Sequence, residues 1–300
     1  MTAARPAPHR DGAAAAGHED LEIDGRVVAL TAPDALVFAG AGVTKRALVE
    51  HYVDVAPWMA PHVAGLRAHV QRWPRGPGGG FSFLKRAPFG APDWLRFTHD
   101  GAGFAIELDG AAAIAWAVEH GAIEIAATTA APARGPNLVL LDLEPGEGTP
   151  MSAACEAALA ARASLEALGL VAFVKTSGSR GLHVAAPVGR TAAAADVDRF
   201  TRATAAALAA RSPHVFSAER ARGRVCVAAV PLGRAIASPW SARAVLRATV
   251  STPVAWSEIA RGVDTQDFVV GASRARLARL GDPWSAILDE ASACDLARVL

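Results

Sequence analysis

The chain has 300 residues, enough to bury a sizeable core as one large α/β domain or two coupled lobes. Hydrophobic residues make up 52% and charged residues 20%, and a formal net charge of +1 excludes a whole-molecule basic field, so any nucleic-acid contact rests on local patches. Cys155, Cys226 and Cys294 lie far apart with no CxxC pair, which argues against a zinc site or disulfide scaffold and fits a reducing cytoplasm, and no stretch is apolar enough for long enough to span a membrane.

Residues 1–18 lack the apolar core of a signal peptide and read as a disordered leader before a single domain over 19–300. A strand-like VVALTA (27–32) leads through a Pro-Asp and Gly-rich loop to Thr44, a good N-cap for the helix TKRALVEHYVDVAPWM (44–59). A Trp-Pro and Gly-rich turn and the aromatic segment FSFLK follow, then a helix around AAAIAWAVEHG (111–121) and the strand AIEIA (122–126). NLVLLDLEP (137–145) reads as a buried strand. Thr149–Pro150 opens the next helix with Pro at the first helical position. VAFVKTS (171–177) and GLHVAAPV (181–188) pair as a hairpin across Gly178–Gly181. A helix over 192–211, the strand RVCVAAV (224–230) and several short helices complete the chain. Strands alternating with helices, plus a hairpin, predict an α/β fold with a mixed sheet.

Two segments carry chemistry. In VLLDLEPGEG, Asp142 and Glu144 are two residues apart on a strand and project from one face, while Leu141 and Leu143 point into the core. Paired carboxylates repel unless a cation lies between them, so they are candidate metal ligands of the phosphoryl-transfer type; a DxE pair by itself is more often a solvated strand face. In KTSGSRGLHV, the turn residues Ser177, Gly178, Ser179 and Gly181 present amides to an anion, Arg180 adds charge, and His183 returns on the next strand. Such a turn suits a triphosphate, and an ordinary Gly-Ser hairpin with a surface histidine is the plain alternative.

Together, DLEPGEG (142–148) and KTSGSRGLH (175–183) resemble the polymerase domain of bacterial ATP-dependent DNA ligase D, a primase-polymerase of the archaeo-eukaryotic primase superfamily. That family carries an Asp-x-Asp-Pro-Gly-Glu-Gly strand and, about thirty residues later, a Lys-Thr-Ser-Gly-x-x-Gly-Leu-His hairpin. The resemblance runs colinearly over roughly residues 25–285, through TAPDALVFAGAGVTK (31–45), FSFLKRAP (81–88), PWSAR (239–243) and GDPW (281–284). All three lysines, Lys45, Lys85 and Lys175, fall inside family motifs. The resemblance implies a primase-polymerase fold, with a central mixed or antiparallel sheet of the ferredoxin or recognition-motif kind and a second packed lobe. It implies Mn or Mg chemistry adding nucleotides at DNA ends in double-strand break repair, with nucleoside triphosphate, DNA ends and ligase or end-binding repair proteins as partners.

Residue by residue, the resemblance makes Asp142 the first metal carboxylate, with Glu144 where the family has a second Asp. Ser177, Arg180 and His183 match the triphosphate hairpin, and Arg243 matches an arginine at the nucleotide phosphates. Phe83 matches a base-stacking ring, next to Ser82 where the family usually has another Phe; Lys45 matches one of two basic residues that hold a DNA 5′-phosphate. Four family positions read alanine: Ala228 for the third metal carboxylate, Ala126 for a histidine, Ala32 for a nucleotide-contacting asparagine and Ala35 for the second 5′-phosphate lysine. No acidic residue lies between Glu219 and Glu258, and the loop after Ala228 is about two residues shorter than in the family. The expectation is a degenerate nucleotide- and DNA-end-binding module; the alternatives are an active divergent nucleotidyltransferase recruiting Glu219 or Glu124, and a scaffold without ligand.

Overall fold

The structure, a computed structural model, describes residues 17–64, 68–84, 90–99, 104–130 and 137–299. The expected leader lies outside the described residues as far as position 16, as does Lys85, and His18 already opens a strand. β1 (His18–Ile23) and β2 (Arg26–Thr31) form an antiparallel hairpin. Its turn is Asp24-Gly25, with φ of 51° and 68°, the left-handed pair that a two-residue hairpin turn requires. Val28 and Leu30 alternate into the core from β2. In HEDLEI of β1 only Leu21 and Ile23 are apolar, too short an alternation to mark a strand beside the leader.

A short ribbon of β3 (Leu36–Phe38) and β4 (Val43–Thr44) leads into α1 (Lys45–Val63). Thr44 caps it, its hydroxyl accepting from the Ala47 amide at 3.1 Å. The helix continues past its predicted end at Met59 although Pro57 and Pro61 lie inside it. Both prolines are on the exposed side, where the carbonyls they leave unbonded can meet water. Meanwhile Leu48, Tyr52, Val55, Met59 and Val63 keep one buried stripe. β5 (His69–Arg72), β6 (Ser82–Phe83), the hairpin β7 (Phe97–His99) and β8 (Phe104–Ile106), α2 (Ala111–Glu119) and β9 (Ala122–Thr128) complete this lobe. Tyr52 donates to the Ile123 carbonyl at 2.6 Å and ties α1 to β9.

The second lobe is built on β10 (Asn137–Pro145), α3 (Met151–Ala167), β11 (Phe173–Thr176), β12 (Leu182–Val188), α4 (Ala194–Arg211), β13 (Phe216–Ser217) and β14 (Val225–Ala229). Pro150 is the N-cap of α3, with ψ of 154°, one position earlier than predicted. β15 (Ala235–Ala237) crosses back to β9, and α5 (Trp256–Arg261) and α6 (Ser273–Leu280) follow. The five-stranded sheet runs β11-β12-β10-β14-β13, antiparallel except for the parallel β13–β14 pair, and the four-stranded sheet runs β15-β9-β5-β6. This is the mixed-sheet α/β fold expected. Val139, Leu141 and Leu143 of β10 pack into one core cluster with Ala158 and Leu165 of α3 and Phe200 and Leu208 of α4. The period-two alternation then turns Asp142 and Glu144 to the opposite face, toward the first lobe. Among the described residues no helix is long and apolar enough to cross a membrane.

Candidate functional site

Between the two sheets lies a cleft of about 570 Å³, and it gathers Asp142, Glu144, Phe83, Ser177, Arg180, His183, Arg243 and Ala126. One cross-strand row runs through its floor and on into the sheet on either side. Ala228 of β14 pairs with Asp142 of β10, Asp142 with His183 of β12, and His183 with Lys175 of β11. Cross-strand partners share a face, so position 228 is the direct neighbour of Asp142 on the cleft side, despite the short loop that follows it.

The hairpin departs from expectation. Ser179 and Gly181 amides both donate to Ser177 Oγ at 3.1 Å, and the Ser177 amide donates to the Gly181 carbonyl at 2.8 Å. Those three amides close the turn on itself and do not face an anion; the Ser177 hydroxyl, already accepting twice, keeps its own proton to give to the cleft. Gly178 is required by close approach, since a Cβ there would stand 2.6 Å from Arg243 Cγ and 2.7 Å from the Ser251 amide, and its φ is 69°.

Arg243 is placed by a segment that grips both lobes. Ser241 Oγ accepts from the Ile125 amide at 2.9 Å on β9, while Thr249 donates its hydroxyl to the Gly178 carbonyl. Arg243 Nη1 then donates to the Ser177 carbonyl at 2.7 Å, and its Nε lies 3.2 Å from Glu124 Oε1. Glu124 also accepts from the Ala244 amide at 2.8 Å. So Glu124, one of the carboxylates considered as a substitute ligand, faces the cleft but is committed to Arg243. The other, Glu219, is exposed and outside the cleft lining.

Behind the floor, Lys175 is fully buried and its Nζ lies 2.8 Å from His183 Nδ1 and 2.5 Å from Ser251 Oγ. Nε2 of His183 is thereby the nitrogen turned toward Asp142, 3.6 Å from Oδ1. Burial drives both basic groups well below their ordinary values, with Arg243 adding to the effect on Lys175 and Lys175 to that on His183. Burial, with Glu144 beside it, raises Asp142 to about 6. Glu144 has both oxygens engaged: Oε1 with Arg180 Nη2 at 2.9 Å and Oε2 with Arg220.

These residues do not fit a two-ion centre. Among the described residues no group of three His, Cys, Asp or Glu side chains converges to hold a metal ion. Asp142 retains carboxylate character toward the cleft, Glu144 is taken by two guanidinium groups, and Ala228 brings no ligand. Phosphate-binding chemistry, by contrast, is well supplied.

Several cleft residues were given no place in the site by the sequence. Arg220 and Arg234 line it, and among the described residues Arg234 forms no ion pair. His69 of β5 pairs across strands with Ala126, so an imidazole is offered from the strand beside the one where the resemblance expected it, with Phe83 edge-on at 6.1 Å between ring centres. Phe81, also exposed, meets Phe83 edge-on at 5.5 Å, a second ring on the same side of the chain while Ser82 alternates away. The only signals were an arginine run before β14 and an His-x-Gln-x alternation too short to separate from loop.

Lys45 lies elsewhere, in a second hollow with Ala32, Ala35 and Glu119. Its Nζ is 3.3 Å from Glu119 Oε2, and the same carboxylate accepts from the Thr31 hydroxyl at 2.5 Å and the Thr31 amide at 3.2 Å. Ala32, expected at the nucleotide, is in this hollow and does not line the cleft; its φ of 47° is a conformation that Asn tolerates better than Ala.

Comparison with known proteins places the chain in a family. The family model described as LigD, primase-polymerase domain, matches residues 44–284. The chain is 29% identical over 247 residues to the multifunctional non-homologous end joining protein LigD of Mycolicibacterium smegmatis, covering 78% of this chain and 32% of that protein. It is 30% identical over 252 residues to the Mycobacterium tuberculosis LigD, covering 77% and 33%, and 24% identical over 262 residues to the bifunctional Bacillus subtilis LigD, covering 85% and 43%. This chain thus spans about a third to under half the length of these relatives. A solved structure of the polymerase domain from Mycobacterium tuberculosis Ligase D in complex with DNA superposes with a TM-score of 0.78 at 28% identity, covering 88% of this chain and 98% of that one. The chain belongs to the LigD primase-polymerase domain family.

Proposed function

We propose that this domain binds nucleoside triphosphates and DNA ends in LigD-type end joining while polymerising little or not at all. One observation carries the reading: Asp142 is flanked by His183 on one side and by Ala228 on the other. The phosphate-facing groups Ser177, Arg180, His183 and Arg243 share the cleft with Phe83, and the position next to Asp142 carries no carboxylate. Two-ion phosphoryl transfer needs one ion at the attacking hydroxyl as well as one on the triphosphate. Loss of a single charge-stabilising group costs on the order of 10²–10³ in rate, and engagement of Glu144 by arginines adds to that. Any Mn or Mg at Asp142 and Glu144 is weakly held.

The DNA complex of the mycobacterial relative supports DNA as a ligand here, with cleft arginines on phosphates and Phe83 stacking on a base. Lys45, shared with Glu119 and without a second lysine at Ala35, gives little discrimination for a 5′-phosphate. Because the relatives are longer end-joining proteins, ligase or end-binding repair proteins are the proposed partners.

Thermal-shift titration with nucleotide tests binding: stabilisation at millimolar nucleotide should vanish in His183→Ala and Arg243→Ala. Primer extension tests the rest. Robust extension by wild type that disappears in Asp142→Ala would establish an active polymerase and overturn the degenerate reading.

A further inference from the structure

We propose that the cleft recognises the phosphates of a nucleoside triphosphate through guanidinium groups without a divalent ion, and that Glu144 is an internal anion which the ligand displaces from Arg180 and Arg220. This rests on reading the cleft as a nucleotide site. It reverses the role that the resemblance gives Glu144.

The geometry of Glu144 motivates it. Its side chain is 17% exposed, and its two oxygens are divided between two arginines that come from different elements, the hairpin turn and the segment before β14. Those arginines are themselves 65% and 70% exposed, so they are held at the cleft mouth by this carboxylate and are otherwise in water. Each oxygen already accepts from a guanidinium, so an ion approaching its remaining lone pair would meet that positive charge beside it. Around the cleft, Arg180, Arg220, Arg234 and Arg243 face Asp142, Glu144 and Glu124. A divalent cation entering beside Asp142 would have to part Glu144 from two guanidinium groups and then remain among four. A polyphosphate meets the opposite situation. It supplies several anionic oxygens for the forked donors of Arg180 and Arg220, and guanidinium–phosphate pairs are frequently bidentate. The Ser177 hydroxyl, His183 Nε2 and Arg234 face the same space. The chain's own carboxylate and the ligand phosphates thus compete for one pair of cations.

The two roles for Glu144 predict opposite signs. Isothermal titration of the full chain with ATP and with inorganic tripolyphosphate, each in EDTA and in Mn²⁺, separates them. Wild type should bind both in EDTA, tripolyphosphate within about tenfold of ATP. Glu144→Gln, which keeps shape and one acceptor oxygen but no charge, should tighten binding about threefold to tenfold, since the ligand no longer competes with a charged partner. The double variant Arg180→Ala, Arg220→Ala should weaken it more than tenfold. Binding of ATP alone would overturn the proposal. So would binding confined to Mn²⁺ and weakened by Glu144→Gln, which would restore Glu144 as a metal ligand and leave the nucleotide reading standing. No binding of either probe in either condition removes both. The wild-type comparison of EDTA with Mn²⁺ needs no substitution, so it decides the matter even if a variant fails to fold.

Discussion

The cleft and the Lys45 hollow are made of the same pieces, basic side chains facing a carboxylate of the chain itself, yet alanine replacement has pushed them in opposite directions. At Ala228 the resemblance expects an anion, and without it the cleft has four arginines facing three carboxylates. At Ala35 it expects a cation, and without it Lys45 is left to Glu119, which also takes two donors from Thr31. On the proposed reading, one region gains attraction for phosphate while the other loses it. Losing a functional residue does not by itself say what a site becomes; the sign depends on which charges remain and how they are already paired.

The largest effect should come from Arg243→Ala, because this residue joins the hairpin to Glu124 across the cleft. Nucleotide binding should fall more than tenfold by titration. Stability should drop by about 2 kcal/mol in denaturant melts, since Glu124 is left as a nearly buried, unpaired charge. If binding persists, the positive side of the comparison is wrong.

Asp142→Asn probes the negative side. The folded-state value of Asp142, about 6, stands above the ordinary 3.8, so its ionisation costs stability as pH rises through that window. The variant should therefore be more stable than wild type by about 1 kcal/mol at pH 8, a figure reduced for the 34% exposure of the side chain. The difference should vanish as pH falls to 3.8. A constant difference across pH would mean that burial and Glu144 do not act on this carboxylate.

Ala228→Asp should restore the missing anion opposite Asp142 and, in EDTA, destabilise the fold by up to about 1 kcal/mol through like-charge repulsion across strands. Recovery of that loss in Mn²⁺, measured by thermal shift, would show that one substitution rebuilds an ion site. For extension activity the informative protein is the triple variant Ala228→Asp, Glu144→Asp, Ala126→His.

The smallest effect belongs to the Lys45 hollow. Wild type should bind 5′-phosphorylated and unphosphorylated gapped DNA within about twofold, and Glu119→Gln should introduce a preference of about twofold to threefold by freeing one charge. A clear 5′-phosphate preference in wild type would contradict the reading of this region as neutralised.

Much of the molecule was legible without coordinates. The period-two pattern of NLVLLDLEP placed Asp142 and Glu144 on one strand face, and the glycines of KTSGSRGLH marked the hairpin that holds Ser177 and His183. The Thr44 cap of α1 followed from local chemistry. Local chemistry failed where the neighbour decided: β1 is a strand because β2 pairs with it, and α1 passes two prolines because its other face is buried. The Ser179 and Gly181 amides look available for an anion in the sequence, but the Ser177 hydroxyl takes both.

By itself, then, the sequence determined the mixed-sheet class, the carboxylate pair and the Ser-Gly hairpin, because each is written in short-range periodicity and turn chemistry, while the family came from the resemblance of two motifs. Tertiary structure alone decided that Ala228, Asp142, His183 and Lys175 form one row, and that His69 faces the cleft beside Ala126. It also decided that Glu144 meets Arg220 and that Glu124 belongs to Arg243. Charge pairing acts across a few ångströms between residues tens of positions apart, and only strand register and lobe packing bring such partners together.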